Sequence, residues 1–148
     1  MKLAKETFKT VVSSTPLVSI DLVVRNGAGQ ILLGERLNRP AIGYWFVPGG
    51  RIVKGEPMAA AFERLTFEEL GVRVSLGEAQ FLGPFEHFYQ DNFSGADFST
   101  HYVVLGYQLQ LDVRLEELPR EQHARYQWWA EADLLASSSV HVHTKWYL

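Results

Sequence analysis

The chain has no cysteine in its 148 residues. That absence excludes a thiolate nucleophile, a cysteine-based zinc site, an iron–sulfur cluster and a dithiol redox pair. Charge of either sign is also in short supply, since 14 Lys and Arg stand against 17 Asp and Glu, a formal net charge of -3. Surfaces that track a nucleic-acid backbone are usually Lys/Arg stripes on basic domains, so no nucleic-acid partner is expected. Long apolar runs are missing too. Leu17 to Val24 is the longest and is interrupted by Asp21, well short of the roughly 20 residues of a membrane span. No membrane partner is expected. The opening MKLAKETFKTVVSS alternates charged with apolar residues and has no signal-peptide core, so the expected location is cytoplasmic. Repeats, low-complexity tracts and Pro/Gly/Ser linkers are absent, and residues 1–148 read as a single domain.

What the chain does have is apolar material: 47% of its residues are hydrophobic and 13% aromatic. That is enough to build a core without a metal or a disulfide. Thr10–Val12 and Leu17–Val24 read as β-type runs around Pro16, and Ile31–Gly34 as a strand returning from the turn Gly27–Gly29, a hairpin. Tyr44–Val47 is a short aromatic strand that ends at Pro48-Gly49-Gly50, where two glycines permit close backbone approach. The clearest helix runs from Pro57 to Leu70, with Pro at its first position and Gly71 just past its end. Phe81–Gly83 and His101–Leu111 read as strands flanking a polar loop, Tyr89–Thr100; Tyr126–Ala130 is a further strand and Glu131–Leu135 a helical turn broken by Ser137–Ser139. The pattern leaves Val140–Leu148 open. Strands, helix, then strands again predict an α/β fold with helices packed on a mixed sheet.

One residue breaks the core pattern of that helix. At about 100° per residue, Met58, Ala61, Phe62 and Leu65 form an apolar stripe, and the same count puts Glu69 near its middle. A carboxylate buried there without a partner costs several kcal/mol, by order of magnitude, so it should hold a metal, a cation or a raised pKa. Arg64 and Glu68 lie four apart and can pair, which taken alone describes a solvated surface salt bridge. Glu56 stands at the helix start, where the macrodipole favours a carboxylate and a simple cap is a sufficient reading.

The segment GRIVKGEPMAAAFERLTFEELGV, from Gly50 to Val72, resembles the box of the Nudix family. That box runs Gly, five residues, Glu, seven residues, Arg-Glu, an aliphatic residue, any residue, Glu-Glu, any residue, Gly and an aliphatic residue. Two positions depart from it: Leu65 stands where the family has the Glu after Arg, and Thr66 where an aliphatic residue is usual. The resemblance implies an α/β/α sandwich, divalent metal and a diphosphate substrate. Losing the carboxylate at position 65 removes a charge and up to two ligand oxygens, so a single Mg²⁺ is the economical expectation, with Mn²⁺ the alternative ion. The resemblance assigns its protein ligands to Glu69 and the Gly49 carbonyl.

The departure narrows the likeness. With PLVSIDLVV, RPAIGYWFVPGGR, HFYQDNFSGADFSTHYVVLGY and LPREQH, the chain is similar to the GDP-mannose mannosyl hydrolase branch of the family, up to about its last ten residues. In that branch water attacks the anomeric carbon of GDP-mannose or GDP-glucose, giving GDP and inverted free hexose. An oxocarbenium-like transition state of this kind gains most from groups that stabilise charge on the departing diphosphate. By the resemblance, Arg36 and Arg51 contact phosphate, Arg64 supports the site from the helix, and His123 is the general base that inversion requires. Taken alone, His123 reads as an exposed loop histidine, and each Arg as a surface charge.

Asp21 and Tyr102 join His123, Arg36 and Arg51 as catalytic candidates by the same likeness. Asp21 is either an outward residue of an edge strand or a buried acid with a partner, sharing a polar face with Ser19; the likeness favours the site. His87, Tyr89 and Tyr102 match positions that touch sugar or β-phosphate, although aromatic strand residues often simply pack. Phe8 is a candidate to stack on guanine. His141 and His143 read as tail residues. A homodimer is implied by the resemblance. Two other activities fit the same motif: a pyrophosphohydrolase that cuts a nucleoside-diphosphate sugar between phosphorus atoms, and a GDP-sugar sensor that binds without turnover.

Overall fold

The computed structural model describes residues 2–120 and 123–148. Among them, seven strands form one mixed sheet: β1 (Leu17–Arg25), β2 (Ile31–Arg36), β3 (Trp45–Phe46), β4 (Gly49–Arg51), β5 (Gln80–Tyr89), β6 (Thr100–Gln110) and β7 (His123–Trp129). The path β3-β2-β1-β6-β5 carries β4 paired to β1 and β7 paired to β2. β1 and β6 run parallel and the remaining pairings are antiparallel. Four helices accompany the sheet: α1 (Lys5–Ser14), α2 (Met58–Leu70), α3 (Glu131–Ala136) and α4 (Val142–Lys145).

Alternation along β1 decides which side each residue serves. Ile20, Leu22 and Val24 point to a core closed by Ala61, Phe62, Leu65 and Leu70 of α2, with Tyr107, Leu109 and Tyr126. Val23 joins Ile31, Leu33, Trp45, Val47, Leu134 and Val140 in a second core on the opposite face. The sheet is therefore covered on both faces, giving the α/β layering expected. Asp21 is not on an edge: β1 lies between β2 and β6, with Asp21 paired to Gly106 on one side and Gly49 on the other.

Several boundaries differ from expectation for physical reasons. Thr10–Val12 is helical, inside α1, where the Thr10 hydroxyl donates to the Glu6 carbonyl at 3.1 Å; only Val12 of the helix is buried. Pro57 is the N-cap of α2 rather than its first helical residue, and Gly71 closes the helix at φ 78°, the left-handed conformation that glycine adopts cheaply. Met58, at the end of the apolar stripe, is exposed. β5 runs far beyond Phe81–Gly83, through a bulge and Pro84, which an edge strand tolerates. The polar loop between β5 and β6 is correspondingly shorter, since Tyr89 and Thr100 pair.

Candidate active site

The site forms where β1, β2, β4, β5, β6 and β7 meet, around a cavity of about 270 Å³. Asp21, Arg36, Gly49, Arg51 and His123 line it, together with Phe8, His87, Tyr89 and Tyr102. Residues predicted from widely separated segments are thus brought to one space. Arg64 and Glu69 lie behind that lining, on α2.

Arg36 ends β2 and is the cation that most of the surrounding groups feel. Its guanidinium lies over the Phe46 ring at 4.1 Å and the Tyr89 ring at 5.9 Å, and Nη1 donates to the Pro40 carbonyl at 2.8 Å. Arg51 lies over the Phe8 ring at 4.2 Å. Phe8 in turn meets Phe93 of the β5–β6 loop at 4.6 Å, an aromatic partner that the sequence reading missed. Two guanidiniums held on aromatic faces at one cavity make a site suited to an anion with several oxygens.

His123 is the first residue of β7, not an exposed loop histidine, and is 4% exposed. Its imidazole lies against Gly34, whose missing side chain makes the room. Burial first, and the charge of Arg36 second, push its pKa down to about 4. The ring is accordingly neutral near pH 7, and its buried Nδ1 has no hydrogen-bond partner. The Tyr126 ring packs on it at 5.3 Å, while the Tyr126 hydroxyl donates to the Pro119 carbonyl.

The box helix supplies two different arrangements. Arg64 donates from Nε and Nη2 to Glu56 at 2.7 and 2.9 Å, from Nη1 to Glu68 at 3.0 Å, and from Nη2 to the Arg51 carbonyl at 2.8 Å. It braces the strand that carries Arg51. Glu56 is no helix cap: it accepts from the Val53 N–H at 3.1 Å, and the Arg64 hydrogen bond holds its pKa below the ordinary carboxylate range. Glu69, in contrast, is 4% exposed with Oε1 buried and unpartnered. Burial, with the nearby charge of Glu68, pushes its carboxyl up to about 8.

That orphaned oxygen beside Gly49 fits a divalent cation. The ligands that the resemblance names, the Glu69 carboxylate and the Gly49 carbonyl, are hard oxygens of the kind Mg²⁺ and Mn²⁺ take. Among the described residues no group of three or more His, Asp or Glu converges as an all-protein cage, so an ion held here would take few protein ligands. Leu65, the departure within the box, is 2% exposed and packs on Gly50, where a Cβ would fall 2.5 Å from its Cδ2.

His141 and His143 are not free tail residues. Among the residues near the end of the chain, His143 stacks on His87 at 4.3 Å, and His141 stacks on Phe46 at 4.8 Å. Burial lowers His87 and His141 to about 4 and His143 to about 3. Tyr147 also reaches the site, donating to Asp21. Burial raises Asp21 to about 6, opposed by that hydrogen bond and by Arg36. Burial likewise raises the Tyr89 and Tyr102 phenols. The dense aromatic and His content of HVHTKWYL was the one sequence signal for this segment, because such side chains seldom all face water.

Comparison with known proteins identifies the family. The NUDIX domain profile matches residues 15–147. Agl8 of Haloferax volcanii, a low-salt glycan biosynthesis protein, is 43% identical over 112 residues, 75% of this chain and 69% of its own. An RNA pyrophosphohydrolase of Azorhizobium caulinodans is 40% identical over 67 residues, 41% of this chain and 40% of its own. Among solved structures, the MutT protein of Methanosarcina mazei superposes with a TM-score of 0.70 at 20% identity, covering 90% of this chain and 91% of its own. The Nudix domain of Shewanella oneidensis NrtR, crystallised with ADP-ribose, superposes at 0.66 and 19% identity, covering 98% and 95%. At those identities the structural likeness speaks to fold alone. No helix among the described residues is long and apolar enough to cross a membrane.

Proposed function

The chain belongs to the Nudix hydrolase family, and from that premise we propose that it hydrolyses GDP-mannose, and GDP-glucose as well, to GDP and free hexose. Water enters at the anomeric carbon, the bond from that carbon to the β-phosphate oxygen breaks, and the configuration inverts. The observation that carries this reading is Leu65. Where the box would place a carboxylate, an apolar side chain packs on Gly50 and closes the core, leaving Glu69 as a buried acid with an unpartnered oxygen. A site with so few acidic ligands suits departure of an intact diphosphate better than attack at phosphorus. The name of the Haloferax relative, a glycan biosynthesis protein, supports a sugar-linked substrate.

In this reading Arg36 and Arg51 hold the diphosphate and stabilise the charge that develops on it. Phe8 and Phe93 offer aromatic faces for guanine. Asp21, His87, Tyr89 and Tyr102 orient the hexose. His123, neutral because it is buried beside Arg36, takes the proton of the attacking water on the face opposite the leaving group. Glu69 and the Gly49 carbonyl would hold Mg²⁺, which when bound supplies electrostatic stabilisation to the diphosphate. A homodimer in solution is part of the same proposal, and light scattering checks it.

Product analysis in H₂¹⁸O tests the reaction. Release of GDP and ¹⁸O-labelled hexose is the expected result. GMP with hexose phosphate would place the chain with pyrophosphohydrolases such as the Azorhizobium relative is named to be. Tight GDP-mannose binding without turnover would make it a sensor instead.

A further inference from the structure

Tyr147 is far in sequence from every residue predicted to meet substrate. Its hydroxyl nevertheless donates a 2.6 Å hydrogen bond to Asp21 Oδ2 and stands 3.4 Å from His87 Nε2. The approach to this position is built in steps. The Trp45 N–H donates to the Ser139 carbonyl at 2.9 Å, and the His141 N–H donates to the Trp45 carbonyl at 3.1 Å, so the chain docks alongside β3. α4 then turns it back over β6. There Gly106, the register partner of Asp21, leaves the space that the phenol fills: a Cβ at position 106 would fall 2.9 Å from Tyr147 Cε1. Phe85 meets the ring edge-on at 4.7 Å.

Packing against Gly106 and Phe85 needs only the ring. The hydroxyl is a separate element, and a buried phenol is costly unless its O–H finds an acceptor. Here the acceptor is the one carboxylate of β1 that lines the cavity. A carboxylate that also feels the charge of Arg36 has other orientations open to it, and a short hydrogen bond from the phenol selects one.

We propose that Tyr147 is a positioning residue whose hydroxyl fixes the orientation in which Asp21 meets the hexose. The inference rests on the proposed reading only for the identity of the sugar; the tie between the phenol and the carboxylate stands apart from it.

Tyr147→Phe keeps the ring and removes the hydroxyl. The expected result is a rise in KM for GDP-mannose of about tenfold, with kcat and the inhibition constant of GDP, which has no sugar, changed less than about twofold. In an Asp21→Asn background the same substitution should add nothing further. Crystal structures of the wild type and Tyr147→Phe should differ in the Asp21 carboxylate orientation. Gly106→Ala, which pushes the ring aside without touching the hydroxyl, should reproduce the selective rise in KM. An unmoved carboxylate with unchanged KM overturns the proposal, as does a parallel rise in KM and the GDP inhibition constant, the mark of packing alone. If the wild type releases no hexose from GDP-mannose, the substrate reading fails, and the Asp21 orientation in the two crystal structures still decides the role of Tyr147.

Discussion

The imidazole of His123 lies on the bare backbone of Gly34, where a Cβ would fall 2.5 Å from both Cγ and Nδ1 of the ring. The relationship arises because β7 pairs with β2 through a register shift between Gly34 and Arg36, which sets His123 opposite Arg36. A side chain at position 34 must move the ring, since the three atoms it would meet first, Cγ, Nδ1 and Cβ, all belong to the His123 side chain. Gly34→Ala should therefore lower kcat/KM at least tenfold while GDP affinity holds, a small misplacement being enough to cost that much. Removing the imidazole altogether with His123→Gln should cost the larger factor typical of general-base loss, roughly 10²–10⁴ in kcat. Steady-state rates for both variants check the pair. A Gly34→Ala protein with wild-type rates would mean that the ring's place on β2 does not matter to the chemistry.

Glu69→Gln replaces a buried carboxylate by a neutral isostere. The apo variant should melt above the apo wild type at pH 8, because the cost of burying the charged form disappears. Mg²⁺ should raise the melting temperature of the wild type and leave that of the variant nearly unchanged, since binding to the native state alone stabilises it by mass action. Catalysis and its metal dependence should fall together. Thermal melts across a Mg²⁺ titration, with rates measured on the same samples, provide the check.

Much of this site could be read from the chain because its signals are local. The helix at 58–70 is bounded by Pro57 and Gly71, and the 100° count that places Glu69 among Ala61, Phe62 and Leu65 matches its burial. Other features depended on tertiary contacts. Thr10–Val12 has β-branched residues, yet it lies in a helix of which only Val12 is buried, with the Thr10 hydroxyl turned back to the Glu6 carbonyl. β5 continues through Pro84 because its outer edge needs no N–H there. His123 reads as a loop residue until the pairing of β7 with β2 is known. The segment from Val140 onward carries no periodic pattern; it is positioned by hydrogen bonds to β3 and by the gap above Gly106, which only the folded sheet creates.

The stacked histidines make stability depend on acid in a predictable direction. His143 faces His87, His141, Tyr89 and Trp146, and it feels the charge of Arg36. Burial, followed by the charges of His87, His141 and Arg36, lowers its pKa from 6.5 to about 3. The unfolded chain therefore takes up this proton first as pH falls, and stability is lost from about pH 6.5 downward toward pH 3. Asp21, raised to about 6, acts with the opposite sign in part of the same window, but equally in any variant that leaves it in place. His143→Phe keeps a ring on His87 and removes the titration. Its melting temperature should fall several degrees less than that of the wild type between pH 6.5 and pH 4. Parallel pH–melting curves for the two proteins would show that His143 is as easily protonated folded as unfolded.

Restoring the acid that the box lacks should not convert the chemistry. Leu65 sits in the core with Ala61, Phe62 and Leu70, contacts Gly50 and is 2% exposed, so a charged group placed there starts out buried. Leu65→Glu should cost about 3 kcal/mol or more, a drop of roughly 10 °C in melting temperature for a chain of this size. Any remaining activity should still yield GDP and hexose, because in the proposed reading Arg36 and Arg51 place the diphosphate and Asp21 and its neighbours place the sugar. Phosphorus NMR of the products separates the outcomes. GMP and hexose phosphate from this variant would mean that one carboxylate on α2 chooses the bond that breaks, whatever the rest of the cavity does.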